Sequence, residues 1–195
     1  IGTEALAYNY TANYNIAIGS YSGGNSSWNN TVSVGNHGYL NGGHNQSFLG
    51  NLSTIWNGGN VGWSTYSDAR VKKDIAEDVV GLDFIKRLRP VTYHRDIDVQ
   101  AQLTGNQLRG DYPQLYDIEE IKFSGFLAQE VAQAAEESGY EFSGITFPKN
   151  DQELYTLSYE SFVVPLGKAV QEQQSMINEL KAKLAIVEQY MKDHQ

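Results

Sequence analysis

A heptad pattern near the C-terminus limits what this chain can fold into more than any other feature of its sequence. Between Leu166 and Met191, the positions of this pattern are separated alternately by four and three residues, without a break. A period of 3.5 residues kept over this length predicts a coiled coil, whose helix packs against copies of itself. The a positions are Val170, Ile177, Leu184 and Met191, and the d positions are Leu166, Gln173, Leu180 and Val187.

Residues 1–66 differ from the rest of the chain in charge and composition. Their only charged side chain is Glu4, and every other charged residue lies from Asp68 onward. The same segment holds 12 of the 19 glycines, together with 12 asparagines. We therefore expect two modules, a Gly/Asn-rich repeat segment over residues 1–66 and a second module over residues 67–195.

The first module contains an irregular repeat. Stretches such as Asn15–Ile18 and Thr31–Val34 alternate as strands do. An aliphatic residue followed by glycine recurs at intervals of 17, 16, 15 and 12 residues, at Ile1-Gly2, Ile18-Gly19, Val34-Gly35, Leu49-Gly50 and Val61-Gly62. Since one strand and one turn cannot bury an apolar face alone, we expect the units to stack on each other and on neighbouring chains.

This pattern is similar to the left-handed β-roll repeats of trimeric adhesin heads and phage fibre shafts. A low-complexity linker is the alternative, and it is disfavoured because Tyr, Trp, Ile and Val are too frequent for a solvated tether. Because Ile1 stands in mid-pattern, we interpret the chain as a fragment of a longer protein.

The heptads and the thin repeats together predict a homotrimer. Gln173 is a polar d residue of the kind that fixes the register and number of helices at some cost in stability. The alternative is a helix that packs back on its own domain. The residues expected to mediate trimerisation are Val170, Gln173, Ile177, Leu180, Leu184 and Val187.

The second module has the pattern of a mixed α/β domain. Residues 81–88 have helical spacing and stop before Pro90, after which residues 91–95 alternate like a strand. Few periodic cues are present over residues 97–118, so we expect an excursion between strands. Further predicted elements are a helix over residues 127–137 ended by Gly139, a strand over residues 155–158, and a long helix from Tyr159.

The predicted fold class is therefore α+β. It has an N-terminal trimeric β-roll or β-helix-like shaft over residues 1–66. A mixed part over residues 67–163 and a coiled-coil helix over residues 164–195 follow.

Composition excludes several classes of function. A chain without cysteine has no disulfide, thiol nucleophile or Cys-based zinc site. A net charge of −9 argues against nucleic-acid binding. The sequence contains no run of about 18 apolar residues, so it predicts no membrane span. We expect no cofactor and no metal, because metal-ligand spacing is lacking among His37, His44, His94 and His194.

One segment at the boundary carries candidate chemistry, Ser67-Asp68-Ala69-Arg70-Val71-Lys72-Lys73-Asp74-Ile75. A serine needs a base to take its proton. Lys72 is such a base only when neutral, a form favoured by desolvation or by a nearby positive charge such as Arg70 or Lys73. Five residues separate Ser67 from Lys72, so the chain must turn for the two side chains to meet.

A purely structural interpretation of this segment stays open on the residues alone. In it Ser67 and Asp68 cap a turn, Arg70 pairs with Asp74, and the lysines are solvated charges.

The segment Ser67-Asp68-x-Arg70-x-Lys72-x-Asp74-Ile75 resembles the opening signature of the peptidase S74 family. This family comprises the intramolecular chaperone domains of bacteriophage tail spikes, endosialidases and tail fibres, with a eukaryotic relative in the myelin regulatory factor. Three later blocks are also similar to it, Gly81 to Tyr93, Gly125 to Val131, and Tyr159 through the heptads. An atypical insert lies around residues 101–116.

The resemblance implies autoproteolysis by Ser67 as nucleophile and Lys72 as base, with Asp68, Arg70 and Asp74 in supporting roles. It also implies release of the chaperone after the trimeric shaft has folded. Ser67 Oγ reaches the Tyr66 carbonyl through a five-membered ring but its own carbonyl only through a four-membered one. We therefore expect scission of the Tyr66–Ser67 bond, in a protein of a virion tail fibre or extracellular appendage that is processed in the bacterial cytoplasm.

A rival hypothesis is a fibre tip or adhesin that is not cleaved. Its C-terminal module would stay attached, and the aromatic-rich region with Trp28, Trp56 and Trp63 would bind a host cell-surface glycan. A trimeric self-association is common to both hypotheses.

Overall fold

The computed structural model of the protein describes residues 1–23, 27–36, 42–105 and 114–194, which form two compact units. The first unit comprises residues 1–66, 92–124 and 148–154, and the second comprises residues 67–91, 125–147 and 155–195. The chain first passes between units at Tyr66–Ser67, the bond where the sequence predicts scission. Two segments that follow Ser67 in sequence thus belong to the unit that contains the repeats.

Three short parallel strands run through the repeats of the first unit. They are β1 (Ile16–Ile18), β2 (Val32–Val34) and β3 (Ser47–Leu49). The sheet order is β1-β2-β3, with Ile16 opposite Val32 and Val32 opposite Ser47. Each repeat therefore stacks its strand on the next, and the two strands expected from alternation are present at slightly shorter length. The trimeric shaft remains a prediction.

Left-handed backbone positions explain why Asn and Gly are abundant around these strands. The residue two positions before each strand has positive φ, namely Tyr14 (63°), Asn30 (57°) and Asn45 (59°). A glycine with positive φ follows each strand directly, namely Gly19 (113°), Gly35 (65°) and Gly50 (85°). Glycine, and less often asparagine, adopts this conformation at low cost, so these turns favour the two residues, with Tyr14 as the exception.

The interior of the stack is small and polar. Ser22, Thr31, Ser33 and Asn36 are buried, while Ala17 is the buried apolar residue of the strands. Asn15 Oδ1 accepts hydrogen bonds of 2.9 Å from both the backbone N–H and the hydroxyl of Thr31. The larger aliphatic side chains lie outside, with Ile16, Ile18 and Leu49 exposed. So little buried apolar area provides weak stabilisation for a single chain.

Residues 97–118 form an excursion between strands, as expected, and they contain a helix that was not predicted, α2 (Ile97–Leu103). Asp96 caps α2 by accepting a hydrogen bond from the Val99 N–H. Residues 106–113, which are part of the insert around 101–116, lie outside the described residues. A 3-10 helix, Asp117–Glu120, comes after the insert. Strands β4 (Val91–Tyr93) and β5 (Phe123–Gly125) pair on either side of this excursion.

The second unit is built around the buried ring of Phe84. That ring lies on helix α1 (Leu82–Arg87) and packs against helix α3 (Ala128–Glu137). As predicted, Gly139 follows α3 with φ of 65° and ends it. Strands β6 (Ile145–Thr146) and β7 (Thr156–Leu157) pair antiparallel at the edge of this core. The buried members of the cluster are Phe84, Val131, Ala134, Ala135, Phe142 and Phe162.

Helix α4 (Val163–Asp193) ends the chain after a 3-10 helix over Tyr159–Phe162. Its first turns pack on α1, because Gly81 lets the two backbones approach closely; a Cβ at Gly81 would lie 2.7 Å from the Ala169 nitrogen. Glu172 accepts the Leu82 N–H at 2.7 Å. Beyond this contact α4 is exposed. None of the described helices is long and apolar enough to cross a membrane.

Candidate functional site

A short turn joins the two side chains that the motif pairs. Asp68 caps a 3-10 helix over Ala69–Val71 by accepting the Arg70 N–H at 2.9 Å, and the Lys72 N–H then closes the turn on the Ala69 carbonyl at 3.1 Å. A 3-10 turn advances three residues per revolution, so it reverses the chain between Ser67 and Lys72. The requirement for a turn is thus met by local hydrogen bonds.

The turn brings Lys72 and Ser67 into direct contact. Lys72 Nζ donates a hydrogen bond of 2.8 Å to Ser67 Oγ. This separation lies within the range that a general base needs in order to take a proton from a serine hydroxyl. The two predicted catalytic residues therefore meet within one chain.

Asp68 and Arg70 form the second pair of the site. Both oxygens of the Asp68 carboxylate contact the Arg70 guanidinium, with the shortest distance, from Nη2 to Oδ2, at 2.5 Å. This pairing and the Arg70 N–H lower the pKa of Asp68, while the pKa of Arg70 is raised by the same carboxylate. The alternative partner for Arg70, Asp74, is not the one it contacts.

The site lies in a long exposed stretch. Every residue from 55 to 78 is exposed, including Ser67 and Lys72, and Tyr66 is 97% exposed. Of the two charges expected to favour neutral Lys72, Arg70 is offset by Asp68, and Lys73 is exposed to water, which screens its charge. Desolvation of Lys72, the other expected contribution, is not provided by this exposed stretch.

Asp74, the last residue assigned a supporting role, has a left-handed backbone. Its φ is 51°, which is unusual for a residue other than glycine and which bends the chain just after the turn. The observed feature of Asp74 is thus its backbone conformation, while the Arg70 guanidinium pairs with Asp68.

The predicted trimerisation residues all lie on α4, and all are exposed in the single chain. Val170 is 62% exposed, Leu180 64% and Leu184 57%. Ile177, Val187 and the polar Gln173 are also exposed. A stripe of large apolar side chains left in water is the pattern that a coiled coil requires.

The residues considered for a glycan or a metal are dispersed. Trp56 and Trp63 are 75% and 93% exposed, and the Trp28 ring lies edge-on to the His44 ring at 5.0 Å. His37 lies outside the described residues. Within the part of the chain that the structure describes, no group of three potential metal ligands comes together.

Sequence reasoning missed one set of buried residues. Leu52 is buried in a cluster with four residues of the excursion over residues 97–118, namely Ile97, Ala101, Leu115 and Ile118. A signal for this cluster was present in the sequence, because Asp96 is a favourable N-cap and Ile97 and Ala101 stand four residues apart.

Residues 67–140 match a family model, that of peptidase S74, described as the chaperone of endosialidase. The resemblance is thus confirmed over the segment that begins at Ser67 and includes α1 and α3. This match supports an intramolecular chaperone role. Searches of curated proteins and of solved structures found no match.

Proposed function

Because residues 67–140 match the family model described as the chaperone of endosialidase, we propose that the chain is the chaperone-bearing part of a phage-type tail fibre or spike. In this proposal residues 67–195 assist the folding and trimerisation of the fibre and then release themselves by autoproteolysis between Tyr66 and Ser67. The contact of 2.8 Å between Lys72 Nζ and Ser67 Oγ supports the proposal most directly.

The reaction begins with transfer of the Ser67 hydroxyl proton to neutral Lys72. Ser67 Oγ attacks the Tyr66 carbonyl carbon, the C–O bond forms, and the C–N bond to Ser67 breaks as Lys72 returns its proton to the leaving nitrogen. The product is an ester between Tyr66 and the Ser67 side chain, with a new amino group on Ser67. Water then hydrolyses the ester and leaves a Tyr66 carboxylate and the restored Ser67 hydroxyl.

Assembly is the proposed trigger for this chemistry. The single chain leaves Lys72 and Ser67 exposed, and it also leaves the apolar stripe of α4 exposed. Three chains that register through Val170, Gln173, Ile177, Leu180, Leu184 and Val187 would cover the stripe. In this proposal the same assembly also covers Lys72 and removes it from water, so an unassembled chain does not cut itself.

The trimer, the location on a virion tail and the processing in the bacterial cytoplasm are parts of the same proposal. Any host cell-surface glycan is bound by the parent fibre rather than by the chaperone. The fibre side of the cut carries exposed aromatic side chains, Trp56, Trp63 and Tyr66 among them. They support a second candidate, a fibre tip that stays attached and binds a glycan.

Denaturing electrophoresis of the freshly expressed chain separates the two candidates. Wild-type protein is expected to give two fragments, whereas Ser67→Ala and Lys72→Ala each give one full-length band, since each removes an exposed reacting group and little packing. Lys86→Ala is the matched control, because Lys86 is an exposed lysine outside the motif; it should cut as wild type does. Normal scission in Ser67→Ala or Lys72→Ala would contradict the dyad, and an intact wild-type band would favour the attached fibre tip.

A further inference from the structure

Leu52 precedes the proposed cut in sequence, yet its side chain is buried among residues that follow the cut. It is 9% exposed and packs with Ile97, Ala101, Leu115 and Ile118. All residues from 51 to 66 are described, and Leu52 is their only buried apolar side chain. Its neighbours Ile55 and Trp56 are exposed. The described residues of the segment 92–124 therefore bury one specific side chain from the fibre side of the cut.

The pocket for Leu52 is held by hydrogen bonds that do not involve Leu52. Asp96 caps α2 at the Val99 N–H with a distance of 2.8 Å, and Glu119 accepts the Ile97 N–H at 2.9 Å. The first bond fixes the start of α2, and the second connects α2 with the 3-10 helix that carries Ile118. A pocket held in this way loses little conformational entropy when it receives a side chain, which favours binding.

A second segment contacts the repeats beside this pocket. The loop over residues 148–154 is folded around Glu153, whose carboxylate accepts hydrogen bonds from the Lys149 N–H at 2.7 Å and the Asn150 side chain at 3.0 Å. A Cβ built on Gly42 would meet the Glu153 side chain at 3.5 Å, so Gly42 lies directly against this loop. Two separate segments that follow the cut thus contact the chain on either side of β3.

We propose that residues 92–105, 114–124 and 148–154 form a clamp on the end of the fibre, with Leu52 as its anchor, and that this clamp holds the two fragments together after the chain is cut. The inference rests on the proposed scission between Tyr66 and Ser67. Scission breaks one covalent bond but none of the contacts of Leu52. Release of the chaperone therefore needs a second event, the withdrawal of Leu52 from its pocket.

The clamp also selects its client. Its pocket accepts a large aliphatic side chain at one position, three residues after the end of β3. Leu52 stands at this position, since β3 ends at Leu49. An alanine there leaves the pocket partly empty, and a charged residue is excluded by the cost of burial without a partner. A fibre end without such a side chain would be released as soon as it is cut.

The first test uses hydrogen exchange on the full chain in a Ser67→Ala background, which keeps the chain whole. Leu52→Ala should speed exchange of the α2 amides about 30-fold, because the amides of α2 depend on the packing of the pocket. Ile55→Ala is the matched control, since Ile55 is a nearby exposed aliphatic residue, and it should leave α2 exchange unchanged. Unchanged exchange in Leu52→Ala would overturn the clamp even if scission occurs normally.

The second test uses cut protein and follows the separation of fragments 1–66 and 67–195 by size-exclusion chromatography. Wild-type fragments should elute together, and Leu52→Ala should shorten the half-time of separation about 30-fold relative to Ile55→Ala. That factor corresponds to about 2 kcal/mol, at 1.4 kcal/mol for each tenfold change. Wild-type fragments that separate at the moment of scission would overturn the retention step. If no chain is cut, the proposed autoproteolysis fails, while the exchange test still decides on the clamp.

Discussion

The two hydrophobic clusters of the described chain differ in which side of the proposed cut supplies their residues. The Phe84 cluster is formed entirely by residues that follow Ser67. The Leu52 cluster combines one residue from the fibre side with residues 97–118 from the chaperone side. Scission at Tyr66–Ser67 would thus leave the first cluster complete within the chaperone fragment, and the second cluster shared between two fragments.

In the proposed mechanism, this difference gives the two clusters different functions. A core that belongs to one fragment would keep that fragment folded after release, whereas a shared core would connect it with its client. The apolar stripe of α4 is a third case, because nothing in the described single chain covers it. The proposal thus assigns stability, client binding and assembly to three different apolar surfaces, and variants can change each one separately.

The largest expected effect concerns the uncovered stripe. In Ile177→Asp/Leu184→Asp, each buried unpaired charge costs on the order of several kcal/mol, so we expect loss of the trimer. Scission should be lost with it, although neither residue is close to Ser67 in sequence. Light scattering and electrophoresis over time measure both. Ser175→Asp/Ala182→Asp, at the f positions of the same heptads, is the control and should assemble and cut normally. Monomers that cut at the wild-type rate would contradict assembly as the trigger.

An intermediate effect is expected for the cluster that belongs to one fragment. Phe84→Ala removes a fully buried ring and should lower the free energy of unfolding of the second unit by about 3–5 kcal/mol. Phe147→Ala changes a 55% exposed ring and should cost about 0.5 kcal/mol or less. Region-specific hydrogen exchange in the Ser67→Ala background measures both changes. The comparison of clusters fails if Leu52→Ala destabilises α1 and α3 as much as Phe84→Ala does.

The smallest expected effect concerns the exposed turn at Asp68. The Arg70 guanidinium and N–H lower the pKa of Asp68. The carboxylate therefore stabilises the turn fully above the ordinary value of 3.8, and this contribution is lost as the pH falls through the lower folded value. NMR titration of Asp68 in Ser67→Ala should give a midpoint below 3.8. A midpoint at or above 3.8 would show that the pair with Arg70 does not persist in solution.

The same pair should affect the rate of scission modestly. Asp68→Asn keeps an N-cap acceptor for the Arg70 N–H but loses the ion pair with the Arg70 guanidinium. Although this frees the Arg70 charge, we expect scission to slow severalfold at neutral pH, because a looser turn holds Lys72 less well against Ser67. Asp68→Ala removes both and should slow it further. Equal rates for wild type and Asp68→Ala, followed by electrophoresis over time, would exclude a role for Asp68 in positioning Lys72.

The sequence predicted the elements whose residues carry a local signal. The heptads predicted α4, Gly139 predicted the end of α3, and the interval between Ile18, Val34 and Leu49 predicted the stacked strands. The Ser67–Lys72 contact followed from the motif, since five residues and a turn are sufficient to bring these side chains together.

The remaining features depend on contacts between segments that are distant in sequence. Leu52 is followed by exposed Ile55, and no periodicity marks which of the two is buried by residues 97–118. The sequence also left open which carboxylate pairs with Arg70, because Asp68 and Asp74 both stand near it. The geometry of the capped 3-10 turn decides in favour of Asp68.

Autoproteolysis between Tyr66 and Ser67 is tested most directly by the intact masses of the freshly expressed wild-type chain and of Ser67→Ala. We expect two wild-type species, residues 1–66 ending in a free Tyr66 carboxylate and residues 67–195 beginning with a free Ser67 amino group. For Ser67→Ala we expect a single mass of 21.7 kDa. A wild-type chain that stays at full mass as an assembled trimer, or fragments whose new ends lie at another bond, would contradict it.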